Sequence, residues 1–394
     1  MAEWTWVWQR SEWGEWTPRD FAVGEELELA VRRVSKIEQL SERISANDRQ
    51  QLQAILLEQE SITTSQIEGE ILDRDSVRSS IARRLGLEHQ LEEGRSSAQS
   101  TEGIVANLID ATLNYQEPLT HDRLHQWQAA LFPTGRNCYG APIDVGFYRT
   151  DPSPMQVVSE RRGGRTAKVH YEAPPTHQVP QEMDRFLTWF NSSASKPSYV
   201  RAAIATYWFV SIHPYEDGNG RLCRLISDLA IAQAEHHPHR LYSFSGALMS
   251  SKQHREAYYG HLESCQKGLR PLGQWVAFFI EAIGDAASQS LVYANDIIRK
   301  TQFWDRYRSH DINARQKLLI NKVLDEGSEF EGNISNKRYT KILEAAKIHV
   351  APVTSKRDLA DLVNKGIMVP TVSSGRNAAY RLNDVIESNI DSSC

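Results

Sequence analysis

The sequence predicts a mainly α-helical protein with one small β-hairpin near its middle and a winged helix-turn-helix at its C-terminal end. Three observations predict it. Apolar residues recur at helical spacing through most of the chain, glycine and proline break that pattern at few points, and the stretches that read as strands are short and bounded by turn residues. A chain of 394 residues exceeds the usual size of one hydrophobic core, which divides it into an N-terminal helical segment over 1–100, a central core over 101–300 and a smaller unit over 310–390.

The opening segment sets Trp4, Trp6 and Trp8 at alternate positions, the spacing of one side of an extended strand, and Trp13 and Trp16 follow. The favoured reading is a strap packed on the body of the protein rather than a stacking platform for bases or sugars. From about Glu25 to Glu92 the pattern is helical, with Leu52, Ile55, Leu56 and Gln59 on one side. Helix resumes between about Thr101 and Leu131 and stops at "FPTGRNCYGAPIDVGFYRT". Then "MQVVSERRGGRTAKVHYEAPP" reads as two short strands around Gly163 and Gly164. Two helices follow, "QEMDRFLTWFN" and "YVRAAIATYWFVSI", the second apolar nearly all round and so placed in the middle of a core. Helical signal continues through "HREAYYGHLESCQKG" and "GQWVAFFIEAIGDAASQSLVYANDIIRK". A composition shift near Asp305 to Ile312 opens the last unit, with three short helices and a hairpin strand, "GRNAAYRLND".

Charged residues make up 24% and hydrophobic ones 40% of the chain, an ordinary globular balance. The formal net charge of -5 gives no global pull toward nucleic acid or anionic lipid. Cys138, Cys223, Cys265 and Cys394 form no CxxC pair, which fits a reducing, cytoplasmic setting. The first residues lack the basic start and apolar run of a signal peptide, and no apolar segment is long enough to span a bilayer, so the expectation is a soluble protein without a membrane partner.

The densest chemistry is "HPYEDGNGRLCR", residues 213 to 224. Gly218 and Gly220 around Asn219 open backbone conformations closed to other residues and bring bare N–H groups close to a ligand. A helix begins at once, since Leu222, Leu225, Ile226 and Leu229 repeat at helical spacing, and its N-terminus makes an anion site suited to a polyphosphate. Arg221 and Arg224, three apart, can clamp further phosphate oxygens. Asp217 stands where a carboxylate would hold Mg²⁺ together with phosphates. His213 is the group suited to take a proton near neutral pH. Singly, each has a plainer reading: His213 before Pro214 can end a helix, and Arg224 can pair with Asp228 on a solvated face. Eight specified positions together give a chance match of about 10⁻¹⁰ per start position, which removes those readings as a set.

This string resembles the signature of the Fic family, H-P-F-x-D/E-G-N-G-R-x-x-R, with a departure at Tyr215, where phenylalanine is usual. The resemblance implies a Fic-type helical core that transfers the AMP moiety of ATP, with Mg²⁺, to a Ser, Thr or Tyr hydroxyl of a target protein. His213 would be the base, Asp217 the magnesium ligand and Arg224 the γ-phosphate clamp. Asp217, Gly218, Asn219, Gly220, Arg221, Leu222, Cys223 and Arg224 would then line the ATP phosphates. The hairpin resembles the family's flap, which holds the target by strand addition, with Gln156, Val157, Val158 and Ser159 as its edge and Arg161, Arg162, Arg165 and Lys168 as a basic tip. "YYGHLESCQ" resembles the segment lining the adenine pocket and carries Tyr258, Tyr259 and Gln266.

"TTSQIEGEIL" resembles the family's inhibitory motif at Thr64, Glu68 and Gly69, and implies a bidentate pair between Glu68 and Arg224 that removes the γ-phosphate cation. In some family members the same glutamate positions water for removal of AMP. The tryptophan segment and C-terminal unit look like those of a bacterial subset of the family, and the resemblance also implies a homodimer. The rival function is a DNA-binding regulator, in which Ser355, Lys356, Arg357 and Arg376 reach phosphates or base edges.

Overall fold

The structure is a computed structural model and describes residues 6–87, 99–137, 139–158, 168–193, 198–237, 240–326, 332–372 and 378–383. Fourteen α-helices, three 3-10 turns and five short strands are described, and the chain divides into two compact units. One takes in Met1–Arg43 and Arg49–Leu291, so most of the N-terminal segment falls in the same unit as the central core; the other takes in Ile44–Asp48 and Val292–Cys394.

In the first unit the tryptophan segment is a strap, but not an extended one. Val7–Gln9 and Pro18–Asp20 are single 3-10 turns, the first closed by Gln9 Oε1 accepting from the Trp6 amide at 3.0 Å. A side chain that satisfies the backbone locally competes with strand formation. Trp6 meets Tyr171 edge-on, Trp8 Nε1 donates to the Glu172 carbonyl, and Trp13 and Trp16 pack against Trp208. Trp4 lies outside the described residues.

Three helices follow: α1 (Gly24–Arg43), α2 (Ala46–Ile67) and α3 (Arg74–Leu85). The buried stripe of α2 runs through Leu52, Leu56, Glu60 and Thr64, with Leu57, Ser61 and Ser65 beside it; Ile55, expected on that face, is exposed. Glu60 is tied to the rest of the unit: its Oε2 accepts from Ser243 Oγ and the Ser245 amide, and lies 3.4 Å from Arg240. The helix is therefore built into the unit rather than laid on it.

α4 (Gln99–Leu113) and α5 (His121–Leu131) lead to the hairpin of β1 (Gln156–Val158) and β2 (Val169–Glu172), which pair antiparallel with Val157 opposite Tyr171. The Gly163-Gly164 tip lies outside the described residues. After α6 (Val179–Ser192) comes α7 (Tyr199–Ile212), all fourteen of whose residues are buried, as its apolar character requires. It packs against α8 (Asn219–Glu235), and α4 and α5 cover α8 from other sides. A short helix not anticipated from the pattern, α9 (Phe244–Leu248), precedes α10 (Lys252–Gln266) and the long α11 (Leu272–Tyr307).

The second unit holds α12 (Ala314–Glu326), β3 (Ile334–Ser335), α13 (Asn336–Ala345), α14 (Pro352–Asn364), β4 (Met368–Val372) and β5 (Ala379–Leu382). The strands lie antiparallel in the order β3-β5-β4 beside a core that includes Leu319, Ile320, Tyr339, Leu343, Leu359 and Leu362. Asp358 ties the helices by accepting from Arg315, Asn313 and Tyr339. Ser355, expected to reach nucleic acid, is instead fully buried and bonded to Thr340; Lys356 and Arg357 are exposed, and Arg376 lies outside the described residues. Among the described residues no helix is long and apolar enough to cross a membrane.

Candidate active site

α7 ends at His213, which adopts φ +51° and donates its amide to the Phe209 carbonyl. A left-handed histidine stores strain, and Pro214 beyond it disfavours any further helix. Two contacts hold this turn from outside: the Arg149 amide donates to the Pro214 carbonyl at 2.9 Å, and Arg149 Nε donates to the His213 carbonyl at 2.9 Å. The imidazole Nδ1 lies 3.1 Å from the Val210 carbonyl, which can only accept, so Nδ1 carries the proton and Nε2 keeps the lone pair. Burial pulls the imidazole down to about 4; the Val210 hydrogen bond works against this, the Arg149 charge with it. The ring is a neutral base at physiological pH.

The loop itself is pinned by Asn219, whose Oδ1 accepts from the Tyr215 amide at 3.0 Å and whose Nδ2 donates to the Tyr215 carbonyl at 2.8 Å. Its carboxamide is spent on shaping the loop. The Tyr215 ring is buried and its hydroxyl meets His125 Nδ1 at 2.9 Å, which is how tyrosine stands where the signature has phenylalanine. Gly218 sits at φ +90°, and a Cβ there would fall 2.8 Å from the Phe132 ring. Asp217 Oδ1 accepts from the Gly218 amide at 2.6 Å, and burial raises its carboxyl despite that bond and nearby Arg221. Leu222 and Cys223 face inward: both are buried, the Leu222 amide is used by the Gly218 carbonyl, and Cys223 Sγ donates to the Gly220 carbonyl.

α2 delivers the opposing charges. Its end wraps around Gly69 at φ +81°, with the Gly69 amide on the Gln66 carbonyl and the Glu70 amide on the Ser65 carbonyl. That turn sends Glu68 and Glu70 to the same helix. Glu68 Oε1 lies 2.7 Å from Arg224 Nη2, while Arg224 Nε donates to Thr64 Oγ1 at 2.7 Å and Nη2 also to the Thr64 carbonyl at 2.9 Å. The expected bidentate pair is thus a one-oxygen contact, with Thr64 taking the other edge of the guanidinium. A Cβ on Gly220 would fall 2.0 Å from Glu68 Oε1, so the carboxylate rests directly on the first turn of α8, where an anion would bind. Arg221 Nη1 pairs with Glu70 Oε2 at 2.7 Å, and its guanidinium lies 4.7 Å over the Phe132 ring. Asp228 pairs with Arg240, not with Arg224.

Of the residues expected at an adenine pocket, Tyr258 and Gln266 are buried, the latter donating to Ser211 Oγ at 3.1 Å. Tyr259 is partly exposed and donates its hydroxyl to the Ile67 carbonyl at the end of α2. A cleft of about 440 Å³ opens beside Asp217, Arg221, Glu68 and Glu70, walled by Phe132 and Tyr139. A second, of about 500 Å³, runs along Arg149, Asp151, Met155 and Glu216 below the hairpin. Gln156, Val157 and Val158 are exposed along β1, Ser159 lies outside the described residues, and Lys168 pairs with Glu263. Arg161, Arg162 and Arg165 also lie outside them.

Periodicity alone did not disclose Glu70, Arg149, Phe132 or His125. For Glu70 a signal existed: a second glutamate directly beyond a helix-ending glycine emerges on the same side as the first.

A helical domain that sets a neutral imidazole and a glycine-opened helix N-terminus in one loop is built to seat an anion beside a base. Residues 118–231 match the model of the Fic/DOC family, and the chain carries a Fic/DOC domain. Residues 6–87 match a domain of unknown function, DUF4172. The chain is 37% identical over 98 residues to "Protein adenylyltransferase Fic" of Culex quinquefasciatus, covering 24% of this chain and 18% of that one. The same-named protein of Aedes aegypti is 34% identical over 98 residues with the same shares. The chain therefore matches only about a fifth of the length of these curated relatives. A Fic domain containing signaling protein from Bacteroides thetaiotaomicron superimposes with a TM-score of 0.50 at 16% identity, covering 70% of this chain and 97% of that one, a likeness of fold.

Proposed function

We propose that this chain transfers the AMP moiety of ATP to a Ser, Thr or Tyr hydroxyl of a target protein or of itself, and that Glu68 holds the reaction off. One observation carries the reading: the Glu68 carboxylate lies on Arg224 and on the first turn of α8, in the place of a phosphate. In the reaction the hydroxyl gives its proton to His213 Nε2 and its oxygen bonds to the α-phosphorus. The bond from that phosphorus to the bridging oxygen breaks, and pyrophosphate leaves. The amides of Asn219 and Gly220, with Arg221 and Arg224, would hold the phosphate charge. Arg224 can do so after Glu68 has left it.

Asp217 fits a Mg²⁺ ion shared with the nucleotide. Its carboxyl is pushed up by burial, a cost that a cation relieves, and Mg²⁺ commonly takes one carboxylate with phosphates and waters. The ion would neutralise phosphate charge in the site. The exposed edge of β1 is the natural seat for an extended target segment. We assign 1–100 as the inhibitory region, 101–300 as the catalytic core and 310–390 as a winged helix. For the rival DNA-binding role no specific observation speaks, and the burial of Ser355 removes one of its contacts.

The test is mass spectrometry of the purified protein and its Glu68→Gly variant with Mg²⁺ and each nucleoside triphosphate. One added AMP group in the variant with ATP is expected. Its absence from the variant and from any protein in a lysate, with ATP binding intact, would overturn the proposal.

A further inference from the structure

Arg149 lies beside the candidate base, and its contacts reach two stretches of chain far from its own, 213–214 and 174–176. The side chain is buried. Its Nε donates to the His213 carbonyl at 2.9 Å, Nη1 to Thr176 Oγ1 at 2.6 Å and Nη2 to the Pro174 carbonyl at 2.5 Å, while its own amide donates to the Pro214 carbonyl at 2.9 Å. Thr176 in turn donates to the Asp151 carbonyl. Residues 149–151 lead into β1 and residues 174–176 leave β2, so both feet of the hairpin and the left-handed turn of His213 hang on one guanidinium.

We propose that Arg149 is a positioning residue for group transfer: it fixes the hairpin that presents the hydroxyl and the loop that carries the base as one rigid assembly. The proposal rests on the reading of His213 as base and β1 as target seat. Its physical logic is that proton transfer and in-line attack tolerate little misplacement, and two loops joined separately to a helical core would move separately. A guanidinium suits the task because its planar fork can meet three acceptors on two separate stretches of chain at once, whereas a lysine ammonium lacks that fixed geometry. The ladder of the hairpin joins β1 only to β2, and the Tyr171 hydroxyl ties β2 to the Ser211 carbonyl of α7, short of the His213 turn that Arg149 holds.

Two charged groups bear on the His213 ring, Arg149 depressing its proton affinity and Glu68 raising it. Removal of the Arg149 charge therefore raises that affinity, as exposure of the ring also would, and Arg149→Lys, which keeps the charge, separates the two.

The experiment compares Arg149→Gln, Arg149→Lys and Thr176→Val in the full chain, each with and without Glu68→Gly. In the Glu68→Gly background, Arg149→Gln is expected to lower kcat for AMP transfer about tenfold to a hundredfold with KM for ATP within about twofold. Arg149→Lys should recover part of that loss. Thr176→Val, which frees only the hairpin side, should raise KM for the target and leave the His213 titration in place. That titration is read without any activity, from the pH dependence of diethyl pyrocarbonate modification at His213 by peptide mass spectrometry, and its midpoint should rise in Arg149→Gln. Unchanged kcat and an unchanged midpoint in folded Arg149→Gln would overturn the proposal. If Arg149→Gln does not fold, an unaltered KM for the target in Thr176→Val would do so. Should the Glu68→Gly parent show no AMP transfer, the functional reading fails by itself, and the His213 midpoint alone decides the role of Arg149.

Discussion

Glu68 Oε1 and Arg224 Nη2 meet at 2.7 Å across 156 residues of sequence, and the two partners are unequally buried: the arginine side chain is 2% exposed, the glutamate 33%. The arginine is enclosed in the interior, whereas the glutamate sits at the solvent edge of a helix end. A buried cation deprived of its partner is costly, so whatever releases Glu68 must be followed by another anion on Arg224. A nucleotide phosphate is such an anion, and under the proposed function competition for one guanidinium would be the regulatory step.

Glu68→Gly is accordingly expected to raise incorporation of label from ATP about tenfold or more and to destabilise the ligand-free protein by about 1–3 kcal/mol through the uncompensated Arg224. ATP should then raise the melting temperature of the variant more than that of the wild type. Radiolabel transfer and thermal denaturation with and without ATP measure both.

Glu70 holds the other signature arginine, at 2.7 Å from Arg221. Replacing it by Gln should tighten ATP binding about fivefold, in keeping with a partly buried charge-assisted contact of about 1 kcal/mol. Transfer should stay low while Glu68 remains. In the Glu68→Gly background the same change should add to activity. Equal ATP affinity in Glu70→Gln and wild type, by calorimetry, would contradict a second carboxylate latch.

The depressed His213 ring predicts an unusual pH profile. Because burial lowers its proton affinity to about 4, the base is already neutral throughout the range where a free histidine would titrate. Transfer by Glu68→Gly should show no acid limb near pH 6.5 and should fall only toward pH 4. Protonation linkage has a definite sign here: the unfolded chain binds the proton more tightly, so His213 makes stability fall as pH drops from 6.5 toward 4. His213→Ala should abolish transfer and flatten that part of the stability curve, read by denaturant titration at several pH values.

Tyr215→Phe restores the usual residue of the signature but strands His125 Nδ1, the 2.9 Å partner of the tyrosine hydroxyl. A loss of about 1 kcal/mol of stability is expected, with AMP transfer in the Glu68→Gly background within about twofold of its parent. A large loss of transfer without loss of stability would give Tyr215 a chemical role.

The sequence by itself determined the helical class, the hairpin and the glycine-opened loop of residues 213 to 224, and through resemblance it anticipated the contact between Glu68 and Arg224. The helices, the hairpin and the loop were legible because each is local: α7 is apolar on all sides, Gly218 and Gly220 mark a turn, and the helix begins within the same twelve residues. Only the tertiary structure showed that Glu70 meets Arg221 and that Glu68 meets Arg224 through one oxygen. Thr64, Glu68 and Glu70 reach α8 because the buried stripe of α2 includes Glu60, Ser61 and Ser65, polar residues that hydrophobic periodicity counts as surface. It also decided that Tyr215 finds His125, that Asn219 is spent on the loop, and that Arg149 gathers three distant carbonyl and hydroxyl acceptors. Hydrogen bonds between residues far apart in sequence leave no periodic trace, since their strength comes from burial and geometry that exist only after the chain has packed.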